Sequence, residues 1–181
     1  MKKTFFLLLL FISIPIFGQK YRTRTGVTQF KASVDTFEPI EAKNNSTSAM
    51  VNLKTGDFVC LLFVKAFNFR VGLMQEHFNE NYMDSDKFPK ATFKGNIKNF
   101  NFSELSDTQK KYTIKGTLTI RGIKKEIETT ARLSKKGNKL MMYASFEVQP
   151  KDFKIKIPKI VSYKIAKRIN ISLDYALIKK K

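Results

Sequence analysis

The stretch HFNENYMDSDKFPKATFKGNI, residues 77–97, holds the groups that acid–base chemistry needs. It opens on the chain's single histidine, His77, and passes through Glu80, Asp84 and Asp86, with Glu76 just ahead. A general acid or base must lie within hydrogen-bond reach of a reacting group and be poised near the working pH. The pattern argues against that use. The acids fall on the polar face of a helix and in the link after it, where carboxylates face water, and no partner nucleophile stands nearby. Phe69, Leu73 and His77 recur at four-residue steps with Met74 and Phe78 beside them, which gathers one apolar helical face. The expectation is a packed imidazole at the end of a helix, then a polar link through Asn81 and Asp84, then a strand beginning near Pro89.

Other chemistries fail on residue supply. One histidine and one cysteine cannot build a Cys/His zinc cluster. No HExxH, GxSxG or phosphate-cradling glycine loop is present. No enzyme is expected, and no cofactor. Cys60 sits among Phe58, Val59, Leu61 and Leu62, a setting for a buried, inert thiol, and as the only cysteine it has no intramolecular disulfide partner.

The sequence opens MKKTFFLLLLFISIPIFGQ, with Lys2 and Lys3 ahead of an apolar run at residues 5–17. That run is shorter than the roughly 20 residues that cross a bilayer, and reads as a signal peptide cleaved near Gly18. The protein is therefore expected to be exported, periplasmic or secreted, with residues 19–181 forming a single domain. Lys and Arg outnumber Asp and Glu 34 to 15, a formal net charge of +19. Such a charge favours anionic partners, lipid surfaces or nucleic acid. Nucleic acid is disfavoured, because no reading helix or RNP-like aromatic strand accompanies the lysines and the signal directs the chain out of the cytoplasm.

Elsewhere the pattern is period two. Apolar residues alternate through Val27, Phe30 and Ala32, then Met50 to Leu53, then run almost unbroken from Phe58 to Val64. LKTGDF (53–58) and KKGN (135–138) read as hairpin turns, and NNST (44–47) as a turn or bulge. Strands follow at Thr92 to Ile97, Tyr112 to Ile120, Ile127 to Leu133, Met142 to Val148 and Ile169 to Leu177, broken at RGIKK. With a single helix predicted over 69–82, the total of eight or nine strands suits a closed barrel better than a sandwich, since closure removes exposed edges. KDFKIKIPKIVSYKIAK, between Pro150 and Arg168, is too long for a hairpin and is expected to pack over one barrel end.

Three segments in order, LMQEHFNENYMDSDKFPKATFKGNI, KGTLTIRGIKKEIE and FEVQPKDFKIKIPKIVSYKIAKRI, resemble the YceI-like proteins. The resemblance covers roughly residues 25–177. It implies an all-β fold, an antiparallel lipocalin-like β-barrel of about eight strands with one short helical insertion, and an apolar tunnel for an isoprenoid or fatty-acyl chain. It implies binding rather than turnover. The matching positions are architectural: His77, Phe78, Asn81 and Met83 at the helix end, Phe88, Pro89 and Phe93 at the start of the strand, Gly116 and Gly122 in the TLTIRG hairpin. The first strand lacks the tryptophan and the histidine–serine pair of better-known members, so no head-group contact carries over there.

Whether such a barrel is hollow depends on its inward side chains. Gly95, Gly116, Ala131 and Ala144 would leave a lane if they cluster, whereas Phe and Met would fill it. Burial gains about 0.8 kcal/mol per methylene, roughly 8 kcal/mol for ten carbons, against an association cost of about 4 to 15 kcal/mol. Long isoprenoid or acyl lipids are therefore the expected ligands. The candidate liners are Phe67, Phe69, Leu73, Met74, Phe93, Leu118, Met142 and Phe146. Lys154, Lys156, Lys159, Lys164, Lys167 and Arg168 are candidate contacts for anionic head groups or an anionic membrane surface. The alternative is a cationic surface-binding module with a solid barrel.

Overall fold

The computed structural model describes residues 20–34 and 38–180. The expected signal peptide falls on residues 1–19, outside the described residues. The period-two segments become strands: β1 (Lys20–Ser33), β2 (Glu41–Asn52), β3 (Asp57–Phe63), β4 (Asn68–Phe69), β5 (Lys90–Ile97), β6 (Lys110–Ile120), β7 (Ile123–Lys136), β8 (Lys139–Val148) and β9 (Ile165–Lys179). The hydrogen-bonded order is β1-β9-β8-β7-β6-β5-β3-β2, and β1 pairs back onto β2, closing an eight-stranded antiparallel barrel. β4 is a two-residue addition to β2, with Ala42 opposite Phe69 and Lys43 opposite Asn68.

LKTGDF and KKGN form the expected turns. NNST forms the bulge and not the turn: it lies inside β2, where the β1–β2 register shifts on both sides of Gly26 and residues 44–47 span three steps against two on β1. Asn44 makes this irregularity tolerable. Its side-chain carbonyl accepts from the Ser46 backbone N–H at 2.9 Å, and its amide donates to the Phe63 carbonyl at 3.0 Å, where the ladder passes from β3 to β4. A fully buried Asn is thereby paired on both sides.

The helix is shorter than its pattern predicts. α1 covers Gly72–His77 and continues as a π-helical turn over Phe78–Tyr82, closed by the Met83 N–H on the Phe78 carbonyl at 2.9 Å. Phe69 belongs to β4 instead, so the Phe69–Leu73–His77 face never forms. Met74 and Phe78 turn inward, while Leu73 is 59% exposed and His77 is also exposed.

The antiparallel meander sorts its connections to two ends. Residues 64–89 with α1, the Arg121–Gly122 turn and the 149–164 excursion share one end with Ser33 of β1 and Glu41 of β2. The 53–56, 98–109 and 137–138 connections share the other with Lys20 and Lys179. At this second end Phe102 packs on Tyr21 with ring centroids 5.3 Å apart, and Phe100 on Tyr112 at 5.8 Å. Inward residues near it (Val51, Leu133, Leu140, Met142, Leu177) are completely buried. Along the same faces toward the first end, Ile127, Phe146, Val148, Ile169 and Ile171 are only half-buried. They face an opening rather than one another.

Candidate functional site: an apolar cavity at one end of the barrel

That opening is a cavity of about 350 Å³, within the range of ligand pockets. Its two sides differ. On one side Phe30, Phe67, Phe69 and Phe78 form a cluster of rings, with centroids 5.1 Å apart for Phe69–Phe78, 5.2 Å for Phe30–Phe67 and 5.3 Å for Phe30–Phe78. Aliphatic residues from β9 and the excursion (Ile155, Ile157, Val161, Ile165, Ile169, Ile171) also line it. Ile155 and Ile157 line the cavity and are half-buried, while Lys154, which closes a 3-10 turn in the left-handed conformation, and Lys156 remain exposed.

Six of the predicted liners, Phe67, Phe69, Met74, Phe93, Leu118 and Phe146, lie on the cavity wall. Two do not. Leu73 faces solvent for the reason given above, and Met142 shares its strand face with Phe146 but lies deeper, fully buried in the solid half. Of the two outcomes open for the small inward residues, an aromatic side chain fills the space over the glycines. Gly95 and Gly116 are directly paired, but the Phe93 ring folds over both, so a Cβ at Gly95 or Gly116 would come within 2.7 or 2.8 Å of its Cζ. The glycines seat an aromatic ring and do not open a channel. Ala131 is fully buried and Ala144 reaches the wall.

The deep wall is polar only where it is already satisfied. Thr28 Oγ1 lies 2.8 Å from both Thr47 Oγ1 and the Tyr175 hydroxyl. Tyr175 is placed by backbone: a Cβ on Gly26 would sit 2.6 Å from its Cδ1, so only glycine leaves room for this ring. Cys60 keeps some accessible surface, but it faces the cavity, not bulk water. Desolvation pushes its thiol up to about 11, and desolvation likewise raises the Tyr175 phenol well above its ordinary value. Both are neutral at physiological pH, so the interior offers nothing to an ionised ligand group.

Charge appears at the mouth. Lys164 is exposed and lines the opening, as does His77, which is therefore not the packed imidazole expected. Lys154, Lys156, Lys159, Lys167 and Arg168 are exposed but do not line the cavity, and Arg168 pairs with Glu147 at 3.3 Å. The excursion is tied down by Arg121, whose guanidinium donates to the Lys154 carbonyl at 2.7 Å and lies 5.7 Å from the centre of the Phe88 ring. Among the described residues, no group of three or more His, Cys, Asp or Glu is placed to hold a metal ion.

Phe30, Phe78 and the two isoleucines were not among the expected liners. The alternation KIKIPK carried a signal for the isoleucines; Phe30 and Phe78 depend on strand closure and on the π turn.

Solved structures with the same fold confirm the barrel at low identity. A polyisoprenoid-binding domain from Saccharophagus degradans implicated in plant cell wall breakdown superposes with a TM-score of 0.76 at 11% identity, over 90% of this chain and 99% of that one. BcnA of Burkholderia cenocepacia gives 0.68 at 16%, over 83% and 95%. A Campylobacter jejuni YceI protein gives 0.64 at 16%, over 80% and 87%. A comparison with curated proteins returns no match. The YceI-like domain model matches residues 13–177, nearly the whole sequence, and the chain belongs to that family.

Proposed function

We propose that this is an exported lipid-binding protein that holds one long isoprenoid or fatty-acyl chain in its cavity, as a carrier, store or sensor. The observation that carries the reading is an apolar cavity of about 350 Å³ whose deep groups are neutral and whose one lining lysine, Lys164, stands at the mouth. Such a site takes an apolar chain tail-first and leaves its polar end near Lys164 and His77. Affinity comes from length, at about 0.8 kcal/mol per buried methylene, because there are few free hydrogen-bonding groups inside. The similarity to a domain described as polyisoprenoid-binding supports the same class of ligand. The alternative of a barrel filled throughout by its own side chains fits the end near Tyr21 and Phe102 but not the end near Phe30 and Phe78.

The test is native mass spectrometry of protein purified without detergent, followed by titration of the delipidated protein with a fluorescent long-chain fatty acid. A co-purified acyl or prenyl mass and saturable binding displaced by a polyprenyl alcohol are expected. Absence of both removes the chain-binding reading. Export is checked by N-terminal sequencing of the secreted or periplasmic fraction, which should begin at Gln19.

A further inference from the structure

We infer that the mouth end is a docking face for anionic membrane, oriented so that the cavity opens onto the bilayer. The docking itself stands independently; passage of a chain from bilayer to cavity rests on the chain-binding reading above.

The argument begins with an asymmetry of exposed apolar side chains. Among the described residues, the large hydrophobics left exposed are Phe63, Val71, Leu73, Ile160, Tyr163 and Ile178. Phe63 closes β3 at the mouth end, Val71 and Leu73 stand at the start of α1, and Ile160 and Tyr163 lie in the excursion. Only Ile178, near the end of β9, belongs to the solid end. Ile160 is 81% exposed and Leu73 59%, and their neighbours Val161 and Met74 line the cavity. Two solvent-exposed apolar points therefore stand beside the opening. Exposed apolar side chains gathered at one end of a molecule, and not scattered singly over it, point to a contact surface.

The charge fits a membrane. Residues 151–168 carry seven Lys or Arg against the single Asp152, and each basic residue near an anionic leaflet adds to the attraction. The α1 side is mixed: Glu76 and Glu80 are exposed, Asp84 is half-buried, and Asp86 pairs with Lys65 at 2.5 Å. The excursion therefore leads the approach. Because the whole chain is cationic, charge provides attraction from any side, and the apolar points select which end arrives. Two signals of this kind, one electrostatic and one apolar, are what stable peripheral binding needs.

The chain contains no tryptophan, so single-site reporters are unambiguous. Ile160→Trp and Ile178→Trp variants of the exported protein are mixed with vesicles of phosphatidylcholine alone, or of equal parts phosphatidylcholine and phosphatidylglycerol. The expected result is a blue-shifted emission, quenched by bromine-labelled acyl chains, for Ile160→Trp on the anionic vesicles only, with Ile178→Trp unresponsive. Ile160→Asp combined with Leu73→Asp should weaken vesicle binding at least tenfold. A response from both reporters, from Ile178→Trp alone, or from neither overturns the orientation. Protein that binds vesicles and duplex DNA alike, with no shift at position 160, overturns docking in favour of charge alone. Long-chain probe titration in solution separates the two claims. Probe binding without any Trp response leaves the chain-binding reading and removes docking; the reverse leaves docking and removes chain binding.

Discussion

The two ends of this barrel are built from the same strands and differ in what fills them. On β9, Ile169, Ile171 and Leu173 are half-buried at the mouth, while Tyr175 and Leu177 on the same face are completely buried. β8 repeats this with Phe146 and Val148 against Leu140 and Met142. The solid end is packed with fully buried side chains, while the mouth end exchanges that packing for volume. The lesson is that a side chain's contribution to stability here is set by its depth along the strand, not by its hydrophobicity.

Substitutions that break the contrast should sort by depth. Leu177→Ala removes a fully buried side chain and should cost about 2 to 5 kcal/mol. Ile171→Ala borders existing space and should cost only about 1 kcal/mol while weakening chain binding. Urea denaturation reads both, and equal losses would show that the mouth half is packed like the other.

Alkaline pH is the next largest lever. The Cys60 thiol ionises at about 11 in the folded protein against an ordinary 9.0. The unfolded chain therefore releases this proton first, and stability falls as pH rises through that window, by up to about 3 kcal/mol. Below pH 9 this contribution is fully present. The raised Tyr175 phenol adds a further loss above its ordinary 10.0. Denaturation midpoints between pH 8 and 11 should decline less steeply in Cys60→Ala; an unchanged slope would mean that the thiol is solvated.

Gly116→Ala places a methyl against the Gly95 Cα and 2.5 Å from the Lys94 carbonyl oxygen, with the Phe93 ring beside them, and should cost at least about 1 to 3 kcal/mol. Smallest is Arg121→Ala, which removes the hydrogen bond to the Lys154 carbonyl, at about 1 kcal/mol of global stability. Its sharper signature is faster amide exchange confined to residues 149–164. Uniform acceleration would mean that Arg121 supports the barrel and not the mouth.

Much of this was legible from residue order. The period-two alternation gave strands and inward faces, the LKTGDF and KKGN turns gave connectivity, and the segments resembling YceI-like proteins gave closure. Depth was not legible, because alternation identifies a face and says nothing about distance from the barrel end, which is why Met142 was grouped with Phe146. Leu73 was misplaced because the helical pattern did not reveal that Phe69 would leave the helix to pair with Ala42. Whether Gly95 and Gly116 leave a lane was open for a related reason: both positions face inward, but the space above them belongs to Phe93, two residues before Gly95 on the same face.

A structure of the protein with a bound polyprenyl or long acyl chain tests the central claim most directly. The account predicts the chain inserted between the Phe30–Phe78 rings and the β9 isoleucines, ending above Tyr175, with its polar end near Lys164. A mouth half closed over by its own phenylalanines, with the ligand seated elsewhere on the surface, would contradict it.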